Sequence, residues 1–209
     1  MPARKTRARR TKSSANPRDR AITAAVTLAA ERGWLRVSLG DIAAAAKLSL
    51  PQLQAEFSSK AAVLAGFLAR VDGAMLATLP ARERGDSARD RLFSVIMHRL
   101  DVLRPHRRAV VAFATAVVVE PGTACALAVA QRRSLAWMLE AAGISSAGVR
   151  GAVRMHGLRL VMAGAMWVWS HDESPDLART MAHVDRQLRR AEQLKELLEP
   201  LRRPRYGER

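Results

Sequence analysis

Apolar positions recur at three- and four-residue intervals along most of the chain, a spacing that predicts helices. Ile22, Val26, Ala29 and Ala30 form one stripe that continues to Trp34, with Glu31 and Arg32 opposite. This is the pattern of an amphipathic helix with one face on a core. Asn16 can cap it, Pro17 suits its first turn and Gly33 stops it, which predicts a helix over 17–32. Ser38-Leu-Gly-Asp41 is a capping-box start for a short helix from Leu39 to about Ala46. Ser49 opens a third helix, with Gln52 in the capping-box position and Pro51 tolerated in the first turn. Ser58 or Ser59 caps a fourth, longer helix through Leu79, ahead of Pro80. Beyond Gly85 the pattern predicts long helices at about 87–103, 106–119, 122–142, 147–170 and 175–199. Pro105, Pro121, Gly143 and Pro175 punctuate them, and Ser174 to Asp176 read as a cap, a first-turn proline and an acid favourable to the helix dipole. No strict period-two alternation and no internal repeat is present. The expectation is an all-α chain of about nine helices.

Composition agrees. The 209 residues are 49% hydrophobic and only 4% aromatic, and the abundance of alanine favours helices over strands. The single cysteine, Cys125, excludes an intramolecular disulfide, fits a reducing compartment and reads as packing material in an apolar stretch. The longest apolar run, Ala109 to Val119, is eleven residues, short of the roughly 20 a spanning helix needs. No membrane span is expected, the first helix is not read as a targeting peptide, and the expected location is cytoplasmic. The formal net charge of +16 is uneven. Residues 1–20 hold eight basic residues against Asp19, and Arg202, Arg203, Arg205 and Arg209 crowd the other end. Such arms are footprints for a polyanion, either nucleic acid or an anionic membrane surface, or else solubilising tails.

The segment Gly33-Trp-Leu-Arg-Val-Ser-Leu-Gly-Asp-Ile-Ala-Ala-Ala-Ala-Lys-Leu-Ser49, continued by Leu53, Phe57, Ser59, Lys60 and Leu64, resembles the DNA-binding domain of TetR-family regulators. Ile42, Ala43 and Ala46 would bury one face of a short helix, Leu53 and Phe57 one face of the next, and the small alanines let the two cross closely. The resemblance covers residues 20 to about 68 and implies a helix-turn-helix whose second member reads DNA. Three positions depart from the family: Lys47 stands where the turn carries glycine, Gln54 where a tyrosine touches phosphate, and Glu56 where an aromatic or histidine precedes the phenylalanine. The candidate DNA contacts are therefore Ser38 and Ser49, with the N–H groups of their helix starts, to phosphates; Gln52 and Gln54 to adenine; and Lys60, which matches a phosphate contact of the family. A basic arm can add nonspecific attraction.

A second resemblance covers most of 99–190. Arg99-Leu-Asp-Val-Leu-Arg-Pro105, Trp137-Met-Leu-Glu-Ala-Ala-Gly143 and the stretch from Trp167 through Ser174-Pro-Asp176 to Leu188 are similar to TetR-like lipid-binding proteins that assist ubiquinone biosynthesis. Those proteins, the resemblance implies, hold isoprenoid lipid, use a terminal amphipathic helix on membranes and do not regulate genes.

In the C-terminal half, Val153 to Trp169 is apolar on a broad face, and Gly157, Ala163, Gly164 and Ala165 permit close helix approach. With the last helix it can form a four-helix homodimer interface, as in the TetR family. Phe113, Trp137, Met138, Met162 and Met166 are candidates to line a pocket for a small hydrophobic ligand or lipid, methionine being adaptable to irregular ligands; His156 beside them reads as a core or interface histidine. No phosphate loop, Gly-x-Gly-x-x-Gly or nucleophile elbow occurs, so no enzyme and no catalytic residue is expected. His171, Asp172, Glu173 and Asp176 read as capping and solvation, and His98 and His106 lack zinc-ligand spacing; no metal and no cofactor is expected. The expected organisation is a disordered basic arm (1–15), a three-helix DNA-binding domain (16–60), a ligand-binding and dimerisation domain (61–199) and a basic tail (200–209). The expected function is a dimeric regulator, read as a repressor, on a double-stranded DNA operator. The alternatives are a lipid-binding accessory protein of the same fold without an operator and a basic peripheral-membrane protein.

Overall fold

The computed structural model describes residues 16–81 and 85–198; the expected arm and tail lie outside them. Nine α-helices occur among the described residues: α1 (Pro17–Arg32), α2 (Leu39–Ala45), α3 (Leu50–Glu56), α4 (Lys60–Thr78), α5 (Ala88–Leu103), α6 (Arg107–Val119), α7 (Pro121–Ala141), α8 (Gly148–His171) and α9 (Ala178–Leu198). Short 3-10 turns at Trp34–Arg36 and Arg104–His106 lead into α2 and α6.

The starts follow the caps in the sequence. Asn16 accepts from the Arg18 N–H at 3.1 Å, and Ser38, Ser49 and Ser87 each close a capping box. α9 departs from expectation. Ser174 to Leu177 form a turn instead of a first helical turn, with Leu177 at φ 55°, and the helix begins at Ala178. The reason is Asp172, which is buried and accepts from the Thr180 backbone N–H at 2.9 Å and its hydroxyl at 2.7 Å. Ser174 and Asp176 both accept from the Ala178 N–H, so three side chains before the helix satisfy its orphan donors. Burial alone would raise the Asp172 pKa, but the hydrogen bonds from Ser174 and Thr180 outweigh it and hold the carboxyl well below its ordinary value. The expected capping role of this cluster therefore falls chiefly on Asp172.

α1 to α3 form a small head. Ile22, Val26 and Ala29 of α1 pack with Ile42, Ala43 and Leu53 in a core that is continuous with the body. Gly66 lets α4 approach: a β-carbon there would stand 2.9 Å from the Phe57 ring and 3.2 Å from Ile22. Among the described residues, α4 alone is long and apolar enough to cross a membrane. It lies against α1, α5 and α7 and carries the buried Asp72, which accepts from Arg99 of α5 and, at 2.6 Å, from Ser134 of α7. That is the setting of a core helix. Trp34 bridges head and body: its ring meets Phe113 of α6 edge to face at 5.0 Å, a geometry that adds about 1 kcal/mol beyond area burial. Cys125 is exposed on α7, contrary to its expected burial; the first half of α7 turns it outward. His156 is likewise exposed on α8, not in a core.

Candidate nucleic-acid interface

α2 ends in a turn that brings α3 across it. The Leu48 N–H donates to the Ala43 carbonyl at 2.9 Å and the Lys47 N–H to the Ala44 carbonyl at 3.1 Å, the paired bonds of a Schellman cap. Such a cap needs a left-handed residue, and Lys47 supplies it at φ 54°. Substitution of the usual glycine has not changed the backbone; it has placed an exposed ammonium in the turn, with no side-chain partner among the described residues.

α3 buries Leu53, and Phe57 behind it, against the head. The outer face presents Leu50, Pro51, Gln54 and Ala55 to solvent, Leu50 at 58% exposure. Gln54 keeps both its amide oxygen and its amide nitrogen unpaired among the described residues. Gln52 does not: its Oε1 accepts from the Ser49 N–H at 2.8 Å, so only its NH₂ remains to donate and a bidentate contact to adenine would break the capping box. The two candidate serines differ as well. The Ser38 hydroxyl donates to Asp41 at 2.6 Å and accepts from the Asp41 N–H at 3.1 Å. Ser49 Oγ accepts from the Gln52 N–H at 3.3 Å, and its proton has no acceptor among the described residues. Asp41 itself is held below its ordinary pKa, first by the Ser38 hydroxyl and then by the Ser38 N–H, with Arg32 adding to it. A charged carboxylate thus occupies the start of α2, where a phosphate would otherwise sit.

Lys60 points to the body. Its Nζ lies 3.7 Å from Glu120 and 4.6 Å over the Trp34 ring, and Glu120 is pinned by the Thr123 hydroxyl at 2.7 Å. Glu56 is partly neutralised from within: Arg18 donates to its carbonyl at 2.9 Å, lies 4.0 Å from its carboxylate and covers the Phe57 ring at 4.4 Å. Arg18 therefore ties the start of α1 to the end of α3 and fixes the angle between them. Lys47 and Leu50 join Gln54 on the free surface. Lys47 lies in the quoted motif, where its position carries only the departure from glycine; Leu50, one residue past Ser49, is no candidate from the sequence.

The five candidate ligand residues lie on α6, α7 and α8. Phe113 lies between Trp34 and Phe67, with Phe67 at 5.7 Å. Met138 and Met162 are buried, Met166 is half-buried and Trp137 is 46% exposed. None lines either of two open clefts. One, of about 430 Å³, lies between α5 and the turn before α9, where Phe93, Met97, Leu177 and Met181 face His98, Asp101 and Arg104. The other, of about 500 Å³, separates α1 from the start of α6.

On α8, Val149, Val153, His156, Gly157, Leu160, Ala163 and Trp167 form an exposed stripe at helical spacing, with Leu160 at 61% and Trp167 at 69% exposure. Gly164 beside it takes the His183 ring of α9, whose Nε2 would stand 2.6 Å from a β-carbon there.

Comparison with known proteins bears on this geometry. Residues 21–66 match the family model of bacterial regulatory proteins of the tetR family. No curated protein sequence matches the chain. Among solved structures, a TetR transcriptional regulator from Nitrosomonas europaea is 25% identical, covering 84% of this chain and 98% of its own, with a TM-score of 0.67. One from Rhodococcus sp. RHA1 is 18% identical over 83% and 94%, with a TM-score of 0.62. A tetR-family regulator from Streptomyces coelicolor is 17% identical over 90% and 98%, with a TM-score of 0.53. Regulators of this family are DNA-binding transcription factors, not enzymes. Residues 21–66 thus match the TetR family of bacterial regulatory proteins, and the described helices share the fold of whole TetR regulators.

Proposed function

We propose that the protein is a homodimeric, operator-binding transcriptional regulator acting in the cytoplasm as a repressor, released by a small hydrophobic ligand. The observation that carries this reading is the preserved α2–α3 turn. Lys47 keeps the left-handed backbone, Leu53 and Phe57 are buried behind α3, and the outward Leu50–Gln54 face is free. Residues 16–60 serve as the reading head and 61–199 as the body. Gln54 reads adenine, Leu50 offers an apolar contact to a thymine methyl, and Ser49 and Lys47 hold phosphates. Gln52 supports the start of α3 and has one donor left for DNA.

The α8 stripe supports the dimer. It is apolar and uncovered, it contains small residues that allow two helices to approach, and a second copy related by a two-fold axis would cover it. Two heads then address half-sites about 34–36 Å apart, one turn of DNA. A ligand that changes that spacing lowers operator affinity through its differential binding to the two arrangements.

Titration onto the DNA upstream of the protein's own gene, and onto scrambled DNA, at two salt concentrations tests the proposal. A regulator prefers its own site by about 10³-fold or more. Equal binding that disappears with salt would be the behaviour of a polycation and would sink it.

A further inference from the structure

The cleft of about 500 Å³ between α1 and the start of α6 is built from opposite kinds of surface. The head side offers Val26, Thr27 and Ala30, with Glu31 at the rim. The body side is Arg104-Pro-His-Arg-Arg108, three guanidinium groups in five residues with no acid among them. Glu31 is the one carboxylate on the lining, and neither it nor Arg108 has a partner among the described residues. Arg104 uses one nitrogen on the Pro175 carbonyl at 2.8 Å. Arg107 is committed to the end of α8, donating to the Trp169 and Asp172 carbonyls, and contributes its field more than its hands. His106 stands edge-on to Phe67 at 5.5 Å; burial, and then the charge of Arg70, push its pKa below the ordinary value, so it adds no competing need for an acid. Concentrating cations around an open cleft is unfavourable without an anion, and guanidinium forks match carboxylates and phosphates.

We propose that this cleft binds a small anionic amphiphile, a short-chain carboxylate or phosphate monoester. Its head group lies between Arg104 and Arg108, and its short tail lies on Ala30 and the Thr27 methyl, beside the edge of the buried Val26. Such a ligand touches the head through α1 and the body through α6, so it fixes the angle between them. The neighbouring cleft before α9 shares Arg104, but its Asp101 and Asp176 disfavour an anion. The effect on operator affinity rests on the regulator reading above; the site itself does not.

Calorimetric titration of the full chain with hexyl phosphate, hexanoate, inorganic phosphate and hexanol tests the site without DNA. At least one of the two amphiphiles is expected to bind with a dissociation constant below about 1 mM, the tighter identifying the head group, with hexanol not binding and inorganic phosphate at least about 10-fold weaker. Arg108→Ala and Ala30→Glu, both at exposed positions, should each weaken binding about 10-fold or more, and Glu31→Gln should tighten it about 3-fold. Arg132→Ala on α7 removes one exposed charge that does not line the cleft and should change nothing.

No binding of either amphiphile at about 10 mM, or a loss as large in Arg132→Ala as in Arg108→Ala, overturns the site. An effect of Arg108→Ala without one of Ala30→Glu overturns the bridging geometry, and inorganic phosphate binding as tightly as its ester overturns the amphiphile. An anion that binds as expected to a protein without any preferred DNA site would instead refute the regulator reading and leave the cleft standing.

Discussion

Replacing Lys47 with glycine separates the two roles of the turn. At φ 54° the residue holds a left-handed backbone, which costs a side chain with a β-carbon roughly 1–2 kcal/mol. Glycine removes that cost but loses roughly 0.5–1 kcal/mol more backbone entropy on folding. The difference is a gain of about 0–1.5 kcal/mol, or up to about 6 °C in Tm for a chain of this size, measured at fixed protein concentration because the Tm of an oligomer depends on it. The same substitution removes the exposed ammonium beside α3. If that ammonium neutralises one phosphate per head, the slope of log K against log salt falls by about 0.9 per head. Lys47→Asn is the control: asparagine tolerates the left-handed region and lacks the charge, so it should reproduce the loss of slope. Thermal melts and fluorescence-anisotropy titrations at several salt concentrations read the two effects independently. A Lys47→Gly protein that melts lower than wild type refutes the strain argument. An unchanged salt slope in both variants refutes the phosphate contact.

Other substitutions reach the remaining parts. Gln54→Ala should reduce discrimination against scrambled DNA by about 1–3 kcal/mol at unchanged Tm, whereas Gln52→Ala should act mainly through the lost capping box, lowering stability by about 1 kcal/mol; equal effects of the two on site preference in binding titrations would refute the division. Asp172→Asn should destabilise by about 2 kcal/mol at neutral pH, since hydrogen bonds to a charged carboxylate are lost, as a denaturant melt would show. The Asp172 pKa is depressed in the folded state, so its contribution is complete above about pH 4 and fades as pH falls toward the folded value; acid titration of stability should be flatter in Asp172→Asn, and an identical acid limb would count against it. Leu160→Glu with Trp167→Glu should halve the mass seen by light scattering, since charges cannot be buried unpaired in a helix interface; a dimer that survives both substitutions excludes the α8 stripe as its centre.

Legibility followed the range of the forces involved. Caps and stops are local, so Asn16, Ser38, Ser49 and Gly33 marked their helices directly, and the spacing of Ile42, Leu53 and Phe57 marked the crossing of α2 and α3. α9 starts later than the local pattern predicts because its deciding group, Asp172, lies eight residues before Thr180 and looks in sequence like one more polar residue of a turn. The candidate ligand residues illustrate the opposite limit. Helical spacing reports only that a residue faces inward, and Phe113 and Met138 are buried in the core without lining either cleft. The clefts are bounded by residues from α1, α5, α6 and the turn before α9, whose proximity depends on packing angles that no local pattern encodes.

Lys60 shows how this matters for the head as a whole. Its position in the motif fits a phosphate contact, yet its ammonium is directed to Glu120 and the Trp34 ring, at the same junction where Trp34 meets Phe113. With the Lys60 side chain at 20% exposure and that of Glu120 at 34%, the pair is partly shielded, and its attraction outlasts moderate salt better than that of a fully exposed one. Arg18 is drawn inward in a similar way, to Glu56 and Phe57. Two cations of the head are therefore spent on holding α3 to α1 and α4 to the body. If the head binds DNA as proposed, a nearly neutral α3 would meet the base edges, and the long-range attraction would come from Lys47 and the other basic residues around it. On the proposed reading, rigidity in the junction would have an electrostatic consequence: the more head cations are committed to holding it, the more operator affinity would depend on charges that carry no sequence information.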